Sequence, residues 1–142
     1  MASGSSFIQH LIKSEDLNHH RTLYAGRTAE WFVETGFVAA ASMIPPESVV
    51  CMKIHGMEFM HPVQVGEIAN FEGHVVFAGR TSLVTHVNMQ VRDRMIVEGF
   101  ITFIHVDDEG NPMPHGVVIE PKTPDEQMWY DLARSLRGSQ HA

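Results

Sequence analysis

The chain has 142 residues and only one cysteine, Cys51. No intrachain disulfide can form, and a protein without disulfides is typical of a reducing compartment. The opening segment, MASGSSFIQHLIK, also lacks the basic start and the long apolar stretch of a secretory signal. We therefore expect a cytoplasmic protein.

Basic residues are scarce as well. Lysine and arginine number 10 against 17 aspartates and glutamates, which gives a formal net charge of −7. Nucleic-acid-binding proteins normally carry a basic surplus, so we expect no nucleic-acid partner. No segment reaches the ~18 uninterrupted apolar residues of a membrane helix, so we expect no membrane partner either. A small anionic ligand is not excluded, because it needs only a local cationic patch.

Signatures of two other classes of site are missing. The G-x-S-x-G motif of serine hydrolases does not occur in the chain. The ten histidines are scattered without the H-x3-H or Cys/His spacings of zinc sites, so we expect no metal. Cys51 lies in a predicted strand, and we interpret it as an inert core thiol rather than a nucleophile.

A long apolar helix is predicted in the N-terminal third. It begins at Ala25 and Gly26 and ends near Ser42, because Pro45 and Pro46 forbid its continuation. Its residues are apolar on nearly every face, which indicates a helix enclosed by the rest of the fold. A mid-helix glycine, Gly36, costs about 1 kcal/mol relative to alanine, which indicates close packing there.

The remaining elements are predicted strands with short connections and one more helix. One strand precedes the apolar helix and four follow it, and the short turns imply antiparallel neighbours: 7–12, 49–59, 70–78, 81–91 and 95–106. The second helix has Thr123 as N-cap, Pro124 as its first residue and Glu126 completing a capping box. Its apolar stripe consists of Met128, Trp129, Leu132, Ala133 and Leu136.

A single buried helix followed by long antiparallel strands is the pattern of the hotdog fold, in which a curled sheet wraps a central helix. We prefer this α+β fold to a β-sandwich because the central helix is too apolar to lie on a solvated surface. We expect about five strands, a peripheral C-terminal helix, and one domain spanning residues 1–142.

Four segments resemble motifs of the hotdog-fold acyl-coenzyme A thioesterases. Two are NHHRTLYAGRTAEW, similar to N-H-x-G-T-L-F-G-G-x-x-x-x-W, and MEFMHPVQVGE, similar to x-x-F-x-x-P-V-x-V-G-D. The others are GRTSLVTHVNMQV, similar to G-R-T-S-M-x-V-x-V-x-V, and FITFIHVDDEGNP, similar to F-x-F-V-A-V-D-x-x-G-x-P. They occur in the family order and spacing and cover residues 18–112.

The resemblance implies an acyl-CoA thioesterase, which hydrolyses an acyl-coenzyme A thioester to a free acid and coenzyme A. It also implies an active site at the interface of a homodimer, with a hexamer of dimers as a larger assembly. Coenzyme A is part of the substrate, so we expect no separate cofactor.

Several positions depart from the family pattern. Arg21 replaces the glycine that follows Asn-His in the family, and Tyr24–Ala25–Gly26 stands in place of F-G-G. Val33 occupies the position of the family's catalytic aspartate, and Glu34 follows one residue later. One residue corresponds to a rotation of ~100° around an α-helix, which the extra methylene of glutamate would have to compensate.

Thioester hydrolysis needs one group to polarise the carbonyl and another to activate water. The resemblance assigns the first task to the amide of Asn18 and to the helix start at Gly26, which leaves room for the acyl group. It assigns the second to Glu34, as general base or nucleophile. Gly26 and Glu34 are eight residues apart, which is about 12 Å along a helix axis. Glu34 therefore has to act on a thioester bound by a partner chain, and a monomer should be inactive.

Structural roles remain open for the same residues. Glu34 is alternatively a buried acid paired with Arg27 or Arg21. Asn18 is alternatively the cap of its own loop, a common role of asparagine.

The phosphates of coenzyme A require a cation in this acidic chain. Arg80 in the GRTS turn is our first choice, with Thr81 and Ser82 as further donors. The alternative is a hairpin arginine that is merely solvated. The resemblance places Phe59 and His61 at another ligand-facing edge, with a core role for Phe59 and a loop hydrogen bond for His61 as alternatives.

Two other functions remain alternatives. Val33 in place of aspartate is compatible with a non-catalytic acyl-CoA binding or sensing protein on the same fold. Hydration of enoyl thioesters would need an Asp/His pair, which the sequence does not place.

Overall fold

The computed structural model describes residues 3–138, which form five strands and two α-helices. In chain order these are β1 (Ser5–Leu11), α1 (Ala25–Ala41), β2 (Val49–Ile54), β3 (Ile68–Ala78), β4 (Ser82–Val91), β5 (Arg94–His105) and α2 (Pro124–Gly138). The strands pair antiparallel in one sheet of order β1-β3-β4-β5-β2. This confirms the predicted α+β hotdog architecture. Within the described range, no helix is long and apolar enough to cross a membrane.

The central helix α1 has the predicted bounds and packs tightly on the sheet. It begins after Tyr24 and ends at Ala41. Gly36 confirms the predicted close packing, because a Cβ there would lie 3.0 Å from both Ile101 Cδ1 and Thr85 Oγ1. The missing side chain therefore lets the helix approach β4 and β5 closely.

One side of α1 is open to solvent in the single chain, which corrects the prediction of a helix enclosed on every side. Glu30, Glu34 and Val38 are all exposed. They are spaced four residues apart, so they form one stripe along the helix. Composition did not reveal this stripe because the small residues around it suit either environment.

Two glycines of the sheet also lie where a side chain would clash with a neighbouring segment. Gly73 of β3 faces the backbone of α1, where a Cβ would lie 3.0 Å from the Thr35 carbonyl oxygen. Gly99 of β5 lies under the Gly56 carbonyl oxygen, which a Cβ would strike. The helix and the loop after β2 are therefore both seated on sheet positions that lack a side chain.

The central strand β4 is buried on both faces. On one face, Thr85 and Val87 lie within reach of α1 at Gly36. On the other face, His86 stacks on Trp129 of α2 with ring centroids 4.4 Å apart. The alternating residues thus contact two different helices, one on each side of the sheet.

The second strand is shorter than predicted. β2 ends at Ile54 rather than at Phe59, and Gly56 then adopts a φ of +94°, which breaks the regular ladder. The segment still follows β5, since the Met60 N–H donates to the Ile96 carbonyl at 2.9 Å. Residues 55–60 are therefore an irregular extension of the sheet edge.

The start of α2 is close to the prediction. The Glu126 N–H donates to Thr123 Oγ1 at 3.1 Å, as expected for an N-cap. The reciprocal bond comes from one residue earlier than in a standard capping box, because the Lys122 N–H donates to Glu126 Oε1 at 3.1 Å.

The predicted apolar stripe of α2 is correct only in part. Ala133 is fully buried and Trp129 is half-buried against the sheet. Met128 and Leu132 are 51% and 48% exposed, so their assignment to the packed face is wrong. The face of α2 that packs on the sheet is therefore narrower than the predicted apolar stripe.

We predict that Gly99→Ala destabilises the fold more than Gly36→Ala. The Cβ at Gly99 would strike a backbone carbonyl, and overpacking of this kind costs about 1–3 kcal/mol. The Cβ at Gly36 would meet the ends of three side chains, those of Ile101, Thr85 and Val87. Alanine recovers about 1 kcal/mol of helix propensity. Urea unfolding of both variants measures the free energies of unfolding. Equal stabilities, or the reverse order, would show that the Gly56 loop is not held tightly on β5.

Candidate functional site

The N-terminus of α1 carries no cap. The N-cap residue, Tyr24, makes no side-chain hydrogen bond to the first turn, and this turn contains no acidic residue. Among residues 3–138, no acceptor bonds the backbone N–H groups of Ala25 and Gly26. Free amides at the positive end of a helix dipole are suited to binding a developing negative charge.

A cavity of about 210 Å³ opens beside this helix end. It is lined by three residues predicted for the site, Asn18, Phe59 and His61, together with Ala25 of the first helical turn. Phe59 is 47% exposed, so the alternative of a core role is wrong. The structure thus brings the Asn18 loop and the segment after β2 together at the start of α1.

Asn18 is the cap of its own loop, one of the two roles left open by the sequence. Its Oδ1 accepts the N–H groups of His20 at 2.8 Å and Thr22 at 3.2 Å, and its Nδ2 donates to Thr22 Oγ1 at 3.2 Å. A carboxamide nitrogen has two N–H bonds, so one donor of Asn18 stays available. Arg21 has a φ of +65°, which explains why a glycine suits this position in the family motif.

The expectation that Gly26 leaves room for an acyl group above the helix end is wrong. The ring of Tyr24 fills that space, and its Cζ would lie 2.7 Å from a Cβ on Gly26. The Tyr24 side chain is 57% exposed. A ligand reaching the Gly26 backbone therefore has to displace an exposed aromatic ring.

Glu34 lies at the surface of the single chain, so the alternative of a buried acid is wrong. The ion pair left open for it is not formed, because Arg27 pairs with Asp16, Nε to Oδ1 at 3.5 Å. In the part of the chain that the structure describes, Glu34 has no ion pair at all. Its carboxylate is thus accessible from outside the protomer.

Glu34 and Val33 face different sides of α1. Three residues before Glu34, Trp31 stacks on His10 of β1 with ring centroids 3.9 Å apart. Four residues after Val33, Phe37 contacts a phenylalanine of β5 at a centroid distance of 6.0 Å. Residues three or four apart share a helix face, so Val33 lies with Phe37 on the β5 side. Glu34 is three residues from both Trp31 and Phe37, so it lies between the two flanks, exposed to solvent. The one-residue offset has therefore turned the side chain by ~100° away from the position of Val33.

His10 is a neighbour of Glu34 that sequence reasoning missed. Its Nε2 is buried and makes no hydrogen bond within the described residues. Burial lowers the pKa of His10, and the negative charges of Glu34 and Asp16 offset part of that shift. The alternation of β1 was the available signal, because it puts His10 on the same face as the buried Ser6.

The GRTS turn lies at the opposite end of the sheet from the cavity. The two are separated by β3, whose 11 residues span roughly 33 Å. Arg80 is exposed and Thr81 is half-buried, whereas Ser82 is buried, so the three predicted donors are not equally accessible. Across the described residues, the N–H groups of Arg80 and Thr81 have no acceptor.

The edge strand β2 exposes apolar side chains. Val50, Met52 and Ile54 are 45%, 50% and 39% exposed. Cys51 is exposed as well, so its interpretation as a core thiol is wrong. An apolar strand with an unpaired edge is suited to contact with another chain.

Comparisons with known proteins show the family to which the chain belongs. The profile of the family described as the thioesterase superfamily matches residues 20–98, more than half of the chain. The uncharacterized acyl-CoA thioester hydrolase YkhA of Bacillus subtilis (strain 168) is 26% identical over 124 residues, which cover 83% of this chain and 71% of that protein.

Solved structures give the same result. An apo hexameric acyl-CoA thioesterase superposes with a TM-score of 0.89 at 25% identity, over 98% of this chain and 92% of that one. The acyl-CoA hydrolase of Staphylococcus aureus, in complex with butyryl coenzyme A, coenzyme A and coenzyme A disulfide, has the same fold. Its TM-score is 0.81 at 23% identity, over 98% of this chain and 90% of that one.

The matched segment contains the start of α1, the cavity residues after β2 and the GRTS turn. Together with the five-stranded sheet around α1, it establishes the family. The chain belongs to the thioesterase superfamily and is a thioester hydrolase with the hotdog fold.

Proposed function

We propose that the protein hydrolyses acyl-coenzyme A and that two protomers of a homodimer share each active site. The observation that carries the proposal is the uncapped start of α1, with the free N–H groups of Ala25 and Gly26, beside a cavity lined by Asn18. The substrate class is supported by the similar proteins, which are named acyl-CoA thioester hydrolase, thioesterase or hydrolase. A hexameric relative supports self-association.

In the proposed reaction, the thioester carbonyl binds at the start of α1 after the Tyr24 ring has turned away. Attack of water on the carbonyl carbon places a negative charge on the carbonyl oxygen. The free amides of Ala25 and Gly26 and the remaining Nδ2–H of Asn18 stabilise that charge. Collapse of the tetrahedral intermediate breaks the carbon–sulfur bond and releases coenzyme A.

Glu34 is the proposed general base. It accepts a proton from the attacking water and returns it to the departing thiolate. Because about 12 Å of helix separates it from Gly26 of its own chain, it acts on the thioester held by the partner. Val38, one turn further along the same stripe, is 43% exposed, which suits a helix face covered by a second protomer.

Arg80 is the proposed anchor for the coenzyme A phosphates. Two sheets that pair antiparallel through their β2 edges set the GRTS end of one protomer beside the cavity end of the other. Arg80 of one chain then binds the phosphates of a substrate whose thioester lies at α1 of the partner. This arrangement overcomes the roughly 33 Å that separates the two ends within one chain.

Substitutions of Glu34 and Asn18 test the proposed base and the proposed oxyanion donor. Glu34→Gln is expected to lower kcat by about 10²–10⁴-fold, since it removes proton transfer while retaining the size of the side chain. Asn18→Ala is expected to lower kcat by about 10–10³-fold. Release of free thiol from acyl-CoAs of increasing chain length measures both effects.

Glu30→Gln is the matched control, because Glu30 lies one turn earlier on the same exposed stripe and should keep the wild-type kcat. Full activity of Glu34→Gln would refute the role of Glu34, and a gain of activity in Val33→Asp would show that a carboxylate can act from position 33. Tight acyl-CoA binding by the wild type without turnover would support the binding protein that Val33 leaves as the alternative.

Mixing two inactive variants tests the shared site. If Asn18→Ala and Glu34→Gln chains assemble at random, half of the dimers are mixed and each mixed dimer has one intact site. About a quarter of the wild-type activity should return in the random mixture, and about half in the isolated mixed dimer. Thiol release is measured after the two chains are co-expressed with different affinity tags and the mixed dimer is isolated. No recovery in the isolated mixed dimer would mean that each chain carries a complete site.

Arg80→Gln is expected to raise the KM for acyl-CoA by about tenfold and to leave kcat unchanged, because it removes a charge-assisted contact to phosphate. Arg134→Gln on α2 is the control for the loss of one exposed positive charge. The effect of Arg80→Gln should disappear with acyl-pantetheine, which has the thioester but no phosphate. An equal effect on both substrates would contradict a phosphate contact.

A further inference from the structure

Residues 113–122 form a strap that connects the end of β5 to α2. The strap is fixed to β5 at its start, where the Met113 N–H donates to the His105 carbonyl at 2.9 Å. The His105 Nδ1 in turn bonds the Met113 carbonyl oxygen at 2.8 Å. From this anchored start the strap reaches the GRTS turn.

Three successive carbonyl groups of the GRTS turn accept hydrogen bonds from outside the turn. The backbone N–H of His115 donates to Arg80 O at 3.3 Å, and the backbone N–H of His105 donates to Thr81 O at 2.8 Å. The imidazole Nε2 of His115 bonds Ser82 O at 2.9 Å. His115 therefore contacts two residues of the turn, Arg80 through its backbone and Ser82 through its side chain.

The hydrogen bonds of His115 fix the position of its ring proton. Its Nδ1 accepts the N–H of Val117 at 2.9 Å. A neutral imidazole has one N–H, which must then be on Nε2 and point at Ser82 O. Both ring nitrogens are thus in use, one within the strap and one between the strap and the turn.

The same contacts orient the free amide of the turn. In a trans peptide the C=O and the N–H point in opposite directions. The Arg80 carbonyl is directed at the strap, so the Thr81 N–H of the same peptide points away from it. This N–H, the Arg80 N–H and the exposed Arg80 guanidinium together offer donors of the kind that bind phosphate.

We propose that His115 is a positioning residue for coenzyme A binding. Its imidazole seats the strap on Ser82, which holds the Arg80 carbonyl inward and the Thr81 N–H outward. The proposal rests on the proposed function of the GRTS turn as the phosphate anchor, and His115 itself does not touch the substrate.

Two substitutions of His115 separate its two hydrogen bonds. In His115→Gln the terminal amide nitrogen reaches the position of Nε2, so the bond to Ser82 O is retained. In His115→Asn the side-chain oxygen replaces Nδ1 as acceptor for Val117, but no donor reaches Ser82. His115→Asn is expected to raise the KM for acyl-CoA by about 5–20-fold with kcat within twofold of wild type, whereas His115→Gln stays near wild type.

Acyl-pantetheine distinguishes the positioning role from a general structural role, because a general loss of structure would affect both substrates. For this phosphate-free substrate the KM of His115→Asn should equal that of the wild type. An equal loss on both substrates, or equal KM values of the Asn and Gln variants for acyl-CoA, would overturn the proposal.

Titration with coenzyme A itself separates this proposal from the proposed function. If the wild type binds coenzyme A but hydrolyses no acyl-CoA, the proposed function fails. A Kd that is 5–20-fold higher for His115→Asn than for His115→Gln would still support the positioning role. A wild type that does not bind coenzyme A would overturn it.

Discussion

The helix α1 packs closely on the sheet because glycines occupy the points of contact. The orientation of the candidate site depends on this packing. Gly36 of the helix and Gly73 of β3 each lie where a Cβ would press against the opposite element. A helix seated this closely has little freedom to rotate about its axis, because any turn would bring a larger residue into the gap. The contact therefore determines that Thr35 is fully buried while Glu34 points outward. It also fixes where the free amides at the start of α1 emerge.

Regular elements keep the parts of the candidate site apart within one chain. The helix puts about 12 Å between Gly26 and Glu34, and β3 puts roughly 33 Å between the cavity and the GRTS turn. Loop movement does not shorten either distance, since both are lengths of hydrogen-bonded secondary structure. If a second protomer pairs antiparallel, its Glu34 and its GRTS turn both come near the cavity of the first protomer. A single dimer contact thus accounts for both distances, which favours a shared site. The exposed apolar edge of β2 gives such a pairing a surface.

The sequence predicted what periodicity and local signals encode, and missed what depends on distant contacts. Pro45 and Pro46 account for the end of α1, and the strand predicted at 81–91 agrees with β4. The early end of β2 depends on how the loop at Gly56 crosses Gly99, which no local pattern contains. The exposure of Glu34 depends on helix rotation, and an apolar sequence around it fits an interface as well as a core. The hydrogen bond from His115 to Ser82 joins residues 33 positions apart, beyond any spacing rule.

The offset between Val33 and Glu34 has a consequence for where the proposed water lies. Consecutive Cα atoms are about 3.8 Å apart and their side chains diverge by ~100° around the helix. One extra methylene adds only about 1.5 Å of reach, the length of one carbon–carbon bond. Glutamate at position 34 therefore does not place its carboxylate where an aspartate at position 33 would. A water activated by Glu34, as proposed, therefore lies beside the exposed stripe of Glu30, Glu34 and Val38. The proposed dimer has to bring the partner's thioester to that stripe.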